Sequence, residues 1–425
     1  MTARITRRQA LQHVGLGTFA TLAAPRLPLA AEKRKKLPVA AVVTEYRTFS
    51  HADVIVGKIL EGWRQDGGPG PDLELVSLYT DQVPENDLSR PLAEKHGVRI
   101  AQTIDEAVTL GQDRLPVAGV LSIGEHGSYP YTPDTRQHMY PRRRLFDEIV
   151  AAMQRCGEFV PLFNDKHLAY RWQDARHMYD TARRHKIPFM AGSSLPTTWR
   201  YPAKQLPVGG EMEEAVAIGY GSNEAYGFHA LEALQCIVER RRGGETGVAA
   251  VSAVSGDQIL EAEKQKKWTR SLLESVLQTI NLTADGLDER IKQGKSEEAA
   301  PVVFYLIEYR DGMKATIAML HGISDQFAVA ARMRGQNDPY ACWTRLEEGR
   351  PFGHFEHMLR GIEHMIHTRE PAWPVERTLL TTGILDRAMH SLNQDGKRLL
   401  TPELDIHYQP SPWEFANIKE ENFPS

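Results

Sequence analysis

The run Asn164-Asp165-Lys166-His167 closes a short apolar stretch, 159–163, and puts an acid, an amine and an imidazole at one point of the chain. An amine beside an acid can, once desolvated, be tuned to take part in proton transfer. The alternative is a surface lysine paired with Asp165. A second set, Gly124-Glu125-His126-Gly127-Ser128-Tyr129-Pro130, follows another apolar run, with Tyr140-Pro141-Arg142 shortly after. Two ionisable groups between glycines in a loop suggest a polar site, or else a turn with both groups in solvent. His229 has Glu232 one helical turn on, although a lone helical histidine is often structural. The stretch 191–196 (AGSSLP), carrying Ser193, and the pair Trp199-Arg200 lie where the pattern of elements changes. Hydroxyls, a glycine turn and an arginine there could hold a polyhydroxylated ligand, or could form only a hinge. Glu45, His51, Asp53, Glu125, His126, Asp165, His167, His229 and Glu232 are nitrogen and oxygen donors of the kind that suit a divalent ion. No fixed-spacing signature such as HExxH accompanies them, so a divalent metal is an alternative only.

The elements that must position these groups are legible as alternating runs. Residues 37–44 (LPVAAVVT) and 73–79 (LELVSLY) read as buried strands, separated by a helical pattern over 52–63 and the loop Asp66-Gly67-Gly68-Pro69-Gly70-Pro71. Helices over 88–96 and 103–110 flank a short strand at 97–99. Strands follow at 117–123, 159–163 and 188–191, with helices at 144–156 and 172–185. Strands alternating with helices at this spacing predict a parallel, doubly wound sheet. Ligands of such sheets bind at the carboxyl ends of the strands. After residue 192 the pattern changes. A hairpin turning on Asp311-Gly312, strands at 248–254 and 327–333, and helices at 226–240, 268–280, 355–367 and 375–392 predict an α+β domain with a mostly antiparallel sheet. The four histidines His354, His357, His364 and His367 on one late helix read as a solvated face.

The N-terminus is expected to be an address. Thr6-Arg7-Arg8-Gln9-Ala10-Leu11 has the twin-arginine pattern, followed by the apolar stretch 14–24 and Pro28-Leu29-Ala30-Ala31. The expected layout is therefore a signal over 1–31, a Rossmann-like domain over 37–191, an α+β domain over 192–393 and an extended tail over 394–425. Processing would remove Arg4, Arg7, Arg8 and Arg26, taking the formal charge from −4 to −8. That balance disfavours nucleic acid as a partner. No later stretch reaches the roughly 18 apolar residues of a membrane span. Three well-separated cysteines argue against a disulfide framework or a thiolate metal site.

The order of elements over 38–393 resembles the Gfo/Idh/MocA family of oxidoreductases. The resemblance rests on His51-Ala52 opening the first helix, Asp81 ending the second strand and Asn164-Asp165-Lys166-His167 where the family has Glu-Lys-Pro. The stretch Ala225-Tyr226-Gly227-Phe228-His229-Ala230-Leu231-Glu232 stands where it has Asp-x-Gly-x-His-x-x-Asp. The family's three nucleotide-loop glycines are replaced by Val43, Glu45 and Thr48, and its first second-domain aspartate by Ala225, with Glu224 next door.

The resemblance implies a Rossmann-like domain joined to an α+β domain, and a homo-oligomer formed through the second sheet. It implies NAD or NADP, with Glu45, Thr48, His51, Asp81, Glu125 and His126 near the cofactor. It makes Lys166, His229, Glu224 and Asp165 the catalytic set, with Glu224 standing in for the missing aspartate. It puts Tyr129, Arg142, His167, Ser193, Arg200 and Glu232 near a sugar or polyol. The expected activity is periplasmic hydride transfer between a nicotinamide and that substrate. The alternatives are a nucleotide-independent, metal-assisted lyase, isomerase or hydrolase, and a non-catalytic sugar binder.

Overall fold

The computed structural model describes residues 35–293 and 301–416, so the signal expected over 1–31 and the end of the tail lie outside the described residues. The first layer is built from β1 (Leu37–Val43), α1 (His51–Glu61), β2 (Leu73–Thr80), α2 (Ser89–His96), β3 (Arg99–Ile100), α3 (Ile104–Thr109), β4 (Gly119–Ile123), α4 (Arg142–Arg155), β5 (Leu162–Asp165), α5 (Trp172–Arg184) and β6 (Phe189–Gly192). All six strands are parallel, in the order β3-β2-β1-β4-β5-β6. The order reverses between β1 and β4, which opens a crevice at their carboxyl ends. Period-two alternation decides what each face of β1 meets. Ala40 and Val42 join the core under α3, α4 and α5, whereas Val39, Ala41 and Val43 join the core under α1.

The second layer comprises β7 (Trp199–Tyr201), β8 (Met212–Gly219), α6 (Ala225–Val238), β9 (Val248–Ser255), α7 (Asp257–Lys264), α8 (Arg270–Gln278), α9 (Leu287–Gln293), β10 (Val303–Tyr309), β11 (Lys314–Met319), β12 (Phe327–Met333) and β13 (Tyr340–Arg345). It ends with α10 (Gly353–Thr368), α11 (Val375–Asn393) and β14 (Leu399–Leu400). Its eight strands run β14-β9-β10-β11-β8-β12-β13-β7, antiparallel except for β11 beside β8. The Asp311-Gly312 turn joins β10 to β11 as expected. The strands β7, β8 and β13 escape a sequence reading, because β8 opens on Met212-Glu213-Glu214 and β7 and β13 are short and part-polar.

Two features differ from expectation. One face of the second sheet packs on α6 and α11, and the other is covered by α8 through Leu272, Leu273, Val276 and Leu277, with Trp268 just before it. The sheet face that the resemblance offers for self-association is thus occupied by the chain's own helices. The segment after 393 is extended but anchored. Leu399 and Leu400 pair with β9, the Tyr408 hydroxyl donates to Glu239 at 3.0 Å, and the Ala416 amide donates to Thr197 O at 2.8 Å. The late helices return toward the first layer. Helix α10 lays Phe355, Met358, Leu359, Ile362, Met365 and Ile366 into the same core as α1, which also buries His354. The histidine row is therefore not a uniformly solvated face.

Candidate functional site

The carboxyl ends of β4 and β5, the start of α1 and the first turn of α6 converge on one cavity of about 340 Å³. Lys166 enters it in the left-handed region, φ 68°, with its amide donating to Gly192 O at 3.0 Å. A left-handed lysine is strained, and such strain collects at functional sites. Gly192, at φ 132°, has no such freedom to change. A Cβ there would stand 2.8 Å from Glu232 Oε2 and 2.9 Å from Thr378 Oγ1.

Lys166 Nζ lies 2.6 Å from His229 Nε2 and 3.5 Å from a Glu125 carboxylate oxygen. The ammonium can only donate, so Nε2 accepts and the ring proton sits on Nδ1, which faces Ser193 Oγ at 2.6 Å. Burial, with Lys166 and His51 nearby, holds His229 well below its ordinary pKa, so the ring is neutral and able to accept a proton. A second imidazole lines the same cavity. His51 Nδ1 is 2.7 Å from Asp165 Oδ2, which is 1 % exposed, and this leaves Nε2 for a ligand. The His51 and His229 rings stack at 6.4 Å. His126 also lines the cavity, with burial and His51 pushing it down to about 3.

Glu125 is the hinge of the charge arrangement. Burial alone would raise its pKa, but Lys166 and Arg142 hold the carboxylate well below the usual range. Arg142 is fully buried, donates to Glu125 at 2.5 Å and to His167 Nε2 at 2.9 Å, and lies over the Tyr140 ring. His167, pushed down to about 4 by burial and Arg142, is neutral, 3.7 Å from Glu224. Arg142 thus shapes the site from behind: its terminal nitrogens bond within the protein and its buried side chain lines no part of the cavity, so it does not contact a substrate as the sequence had suggested it would.

Other expected residues fall elsewhere. The turn after β1 is filled by the chain itself. Ser50 Oγ accepts from the Asp53 amide, Asp53 Oδ2 accepts from the Phe49 amide, and Arg350 reaches Asp53 at 2.9 Å. This reciprocal cap satisfies the α1 N-terminus with an internal carboxylate. Glu45 folds onto Arg47 at 2.6 Å and Thr48 is exposed, so neither lines the cavity. Asp81 accepts from Tyr79 at 2.8 Å, Tyr129 at 2.6 Å and Arg144 at 2.6 Å. That locks Tyr129, expected on the substrate, onto the carboxylate expected on a ribose. Gln82 and Ser128 exchange bonds of 2.7 and 3.0 Å across the same edge. Arg200 is buried, donating to Gln205 and Pro196 O under the Phe415 ring; it is packing at the layer junction. Ser193 acts through His229 instead of lining the cavity.

Glu232 is corrected in the same way. It is fully buried on the side of α6 that meets α11, accepts from Thr381 at 2.6 Å, and is pushed up to about 7 by burial against the pull of Arg377. In the unfolded chain it returns to about 4.5. A raised folded value gives a contribution fully present below 4.5 and lost as the pH rises through 7. Glu232→Gln keeps the neutral form. It is expected to be isostable with the parent near pH 4 and about 3 kcal/mol more stable at pH 8, read from urea unfolding at both pH values.

The chain adds groups the sequence reading missed: Phe49, Phe352, His354 and Phe355 from the α1 and α10 starts, and Tyr226 and Phe327 from the second layer, all lining the cavity. The cluster Phe352-Gly353-His354-Phe355 was the available signal. Among the described residues no three His, Cys, Asp or Glu side chains converge to hold a metal.

No protein-family model and no curated protein matches the sequence. Solved structures do. GenD2 from gentamicin A biosynthesis, in complex with NAD, superposes with TM-score 0.53 at 13% identity over 88% of this chain and 99% of that chain. The fold is that of the Gfo/Idh/MocA-type dehydrogenases. An apo scyllo-inositol dehydrogenase from Lactobacillus casei gives TM-score 0.53 at 12% identity, covering 86% of this chain and 98% of that one. An Agrobacterium radiobacter oxidoreductase in complex with NAD+, L-tartaric acid and magnesium gives 0.52 at 13%, covering 86% and 98%. In this Gfo/Idh/MocA-type frame the Lys166 cavity lies at the strand ends beside the sheet's reversal point.

Proposed function

We propose that this chain is an exported oxidoreductase of the sugar and polyol class, working at a substrate hydroxyl held against Lys166 and His229 from the cavity side. One observation carries the reading: an ammonium and a neutral imidazole, 2.6 Å apart, lining a cavity at the strand ends. Lys166 donates to the hydroxyl oxygen and stabilises charge as it develops there. Nε2 of His229 exchanges its bond from Lys166 for one from the hydroxyl and takes that proton, and Ser193 holds the ring by accepting from Nδ1. His51, oriented by Asp165, lies across the cavity as a second proton carrier. The dehydrogenase neighbours, among them an NAD complex and inositol dehydrogenases, support the oxidoreductase class. The twin-arginine pattern supports the periplasm. A homo-oligomer, expected from the resemblance, would have to use a surface other than the face that α8 covers.

A nicotinamide dinucleotide, when bound, would supply the hydride acceptor. The residues at the β1 turn and at the end of β2 do not fit one in the usual mode. The helix end that would face a diphosphate carries the Asp53 carboxylate, and Asp81 already accepts three hydrogen bonds. The chain's own residues therefore account for the proton half of the chemistry alone. That observation favours a second reading, in which the same pair moves protons on a carbohydrate without a redox partner, as a lyase or isomerase does.

Mass spectrometry of the small molecules released on denaturing gently purified protein separates the two. A nicotinamide dinucleotide at near-stoichiometric yield is the outcome expected of the first reading and excludes the second. A folded sample that releases none, and whose sugar turnover is unchanged by added NAD or NADP, overturns the first.

A further inference from the structure

We propose that the cavity on the far side of Glu125 is a second carbohydrate subsite, so that the substrate is a glycoside or oligosaccharide of at least two rings. The inference rests on the reading of the Lys166 cavity as a sugar site and names the class of sugar.

This second cavity, about 720 Å³, lies between the loop at 131–140, the start of α6 and the end of α11. It shares Glu125 and Ala225 with the Lys166 cavity, so the two approach the same pair of residues from either side. Ala225 stands where the resemblance has an aspartate. Its methyl leaves at the junction the width that a longer carboxylate side chain would fill.

The wall is built before any ligand arrives. Tyr131 bridges to His138 and their rings stack at 4.2 Å; His138 lies tilted against Tyr140 at 3.9 Å; Arg136 lies over Tyr131 and Arg142 over Tyr140. Thr132, Thr135 and Gln137 cross-bond at the loop's base. A preformed wall spares the ordering entropy that weakens binding to loose loops.

Two lining residues carry polar atoms that the protein leaves unmatched. His167 is 2 % exposed; because the Arg142 guanidinium only donates to Nε2, the ring proton is on Nδ1, which has no acceptor. Glu224 Oε2 accepts from the His138 amide at 2.6 Å, but Oε1 has no hydrogen-bond partner. A lone donor and a lone acceptor just beneath the wall of one cavity suit hydroxyls, which supply both roles in a single atom once a side-chain rotation brings them to the surface. Glu224 and Asp134 stand against Arg136, and Glu125 is already matched by Arg142 and Lys166, so the lining holds no excess of positive charge for an anion. The contacts Lys166 to Glu125, Glu125 to Arg142 and Arg142 to His167 then tie the placing of one ring to the groups that act on the other.

The test is calorimetric titration of the full exported chain with cello- and malto-oligosaccharides of one to four units. The expected result is a tightening of about tenfold between one unit and two, equivalent to one or two net hydrogen bonds, and little change beyond. Leu392→Trp, which fills the cavity from α11, should abolish that step. Tyr131→Ala, at a half-exposed position that leaves the core untouched, should weaken it several-fold and serves if the tryptophan variant fails to fold. Single sugars binding as tightly as longer ones, or a step that survives both substitutions, overturns the subsite alone. No binding at any length overturns the sugar reading of the Lys166 cavity with it.

Discussion

Lys166→Ala is expected to lower turnover by about 10²–10⁴-fold while ligand affinity, measured by calorimetry, stays within several-fold. The ammonium donates to His229 and lines the cavity, and a methyl at that position leaves a substrate oxygen without a cation as charge develops. A backbone effect lets the catalytic loss be separated from a folding loss. Lys166 sits at φ 68°, where any residue with a Cβ is strained by about 1 kcal/mol and glycine is not. Lys166→Gly should therefore be as inactive as the alanine variant yet more stable than it by about 1 kcal/mol in urea unfolding. An alanine variant that keeps its turnover would remove Lys166 from the chemistry. Equal stability of the two would show that the left-handed turn is not strained.

The second large effect concerns folding. Arg142→Met should destabilise the protein by about 3–5 kcal/mol, because it strands Glu125 as a buried carboxylate with Lys166 alone at 3.5 Å. Arg142 also fills space against Gly124, where an added Cβ would meet its Cγ at 2.6 Å, so part of the loss is packing. The charge part is isolated by the double variant Arg142→Met with Glu125→Gln, which should recover well over half of the loss and give a coupling energy of about 2 kcal/mol or more. Strict additivity of the two single variants in urea unfolding would mean that the ion pair is not what holds this wall in place. The same experiment bears on the proposed subsite, since Arg142 sets the tautomer of His167.

Much of this was readable from local pattern. The runs 37–44, 73–79 and 117–123 are strands because continuous β-branched and apolar residues can be satisfied only when both faces of a parallel sheet are covered. The elements put the ends of β4 and β5 side by side, so Glu125 and Lys166, each read as a group following a strand, meet there. Even so, the pairing of Lys166 with His229, 63 positions away, depended on the helix after β8, a strand the sequence hid behind Glu213 and Glu214. The substitutions Val43, Glu45 and Thr48 announced that the turn was unusual. They did not reveal that Asp53 caps α1, or that Arg350, 297 positions on, closes the arrangement.

What the sequence by itself determined is the layering, the strand ends that carry Glu125, His126, Asp165 and Lys166, and the absence of a glycine cradle. These depend on periodicity and residue type, which are local. Only the tertiary structure decided which charges are spent within the protein and which face a cavity. Arg142, Arg200 and Glu232 look like binding residues in a string of letters, but their partners come from distant elements, Glu125, Phe415 and Thr381. The histidines of α10 divide in the same way, with His354 buried and lining the cavity. A charged side chain carries no local mark of its partner. Burial and pairing are settled by the packing of elements tens to hundreds of residues apart, and that packing made one cavity from the two layers.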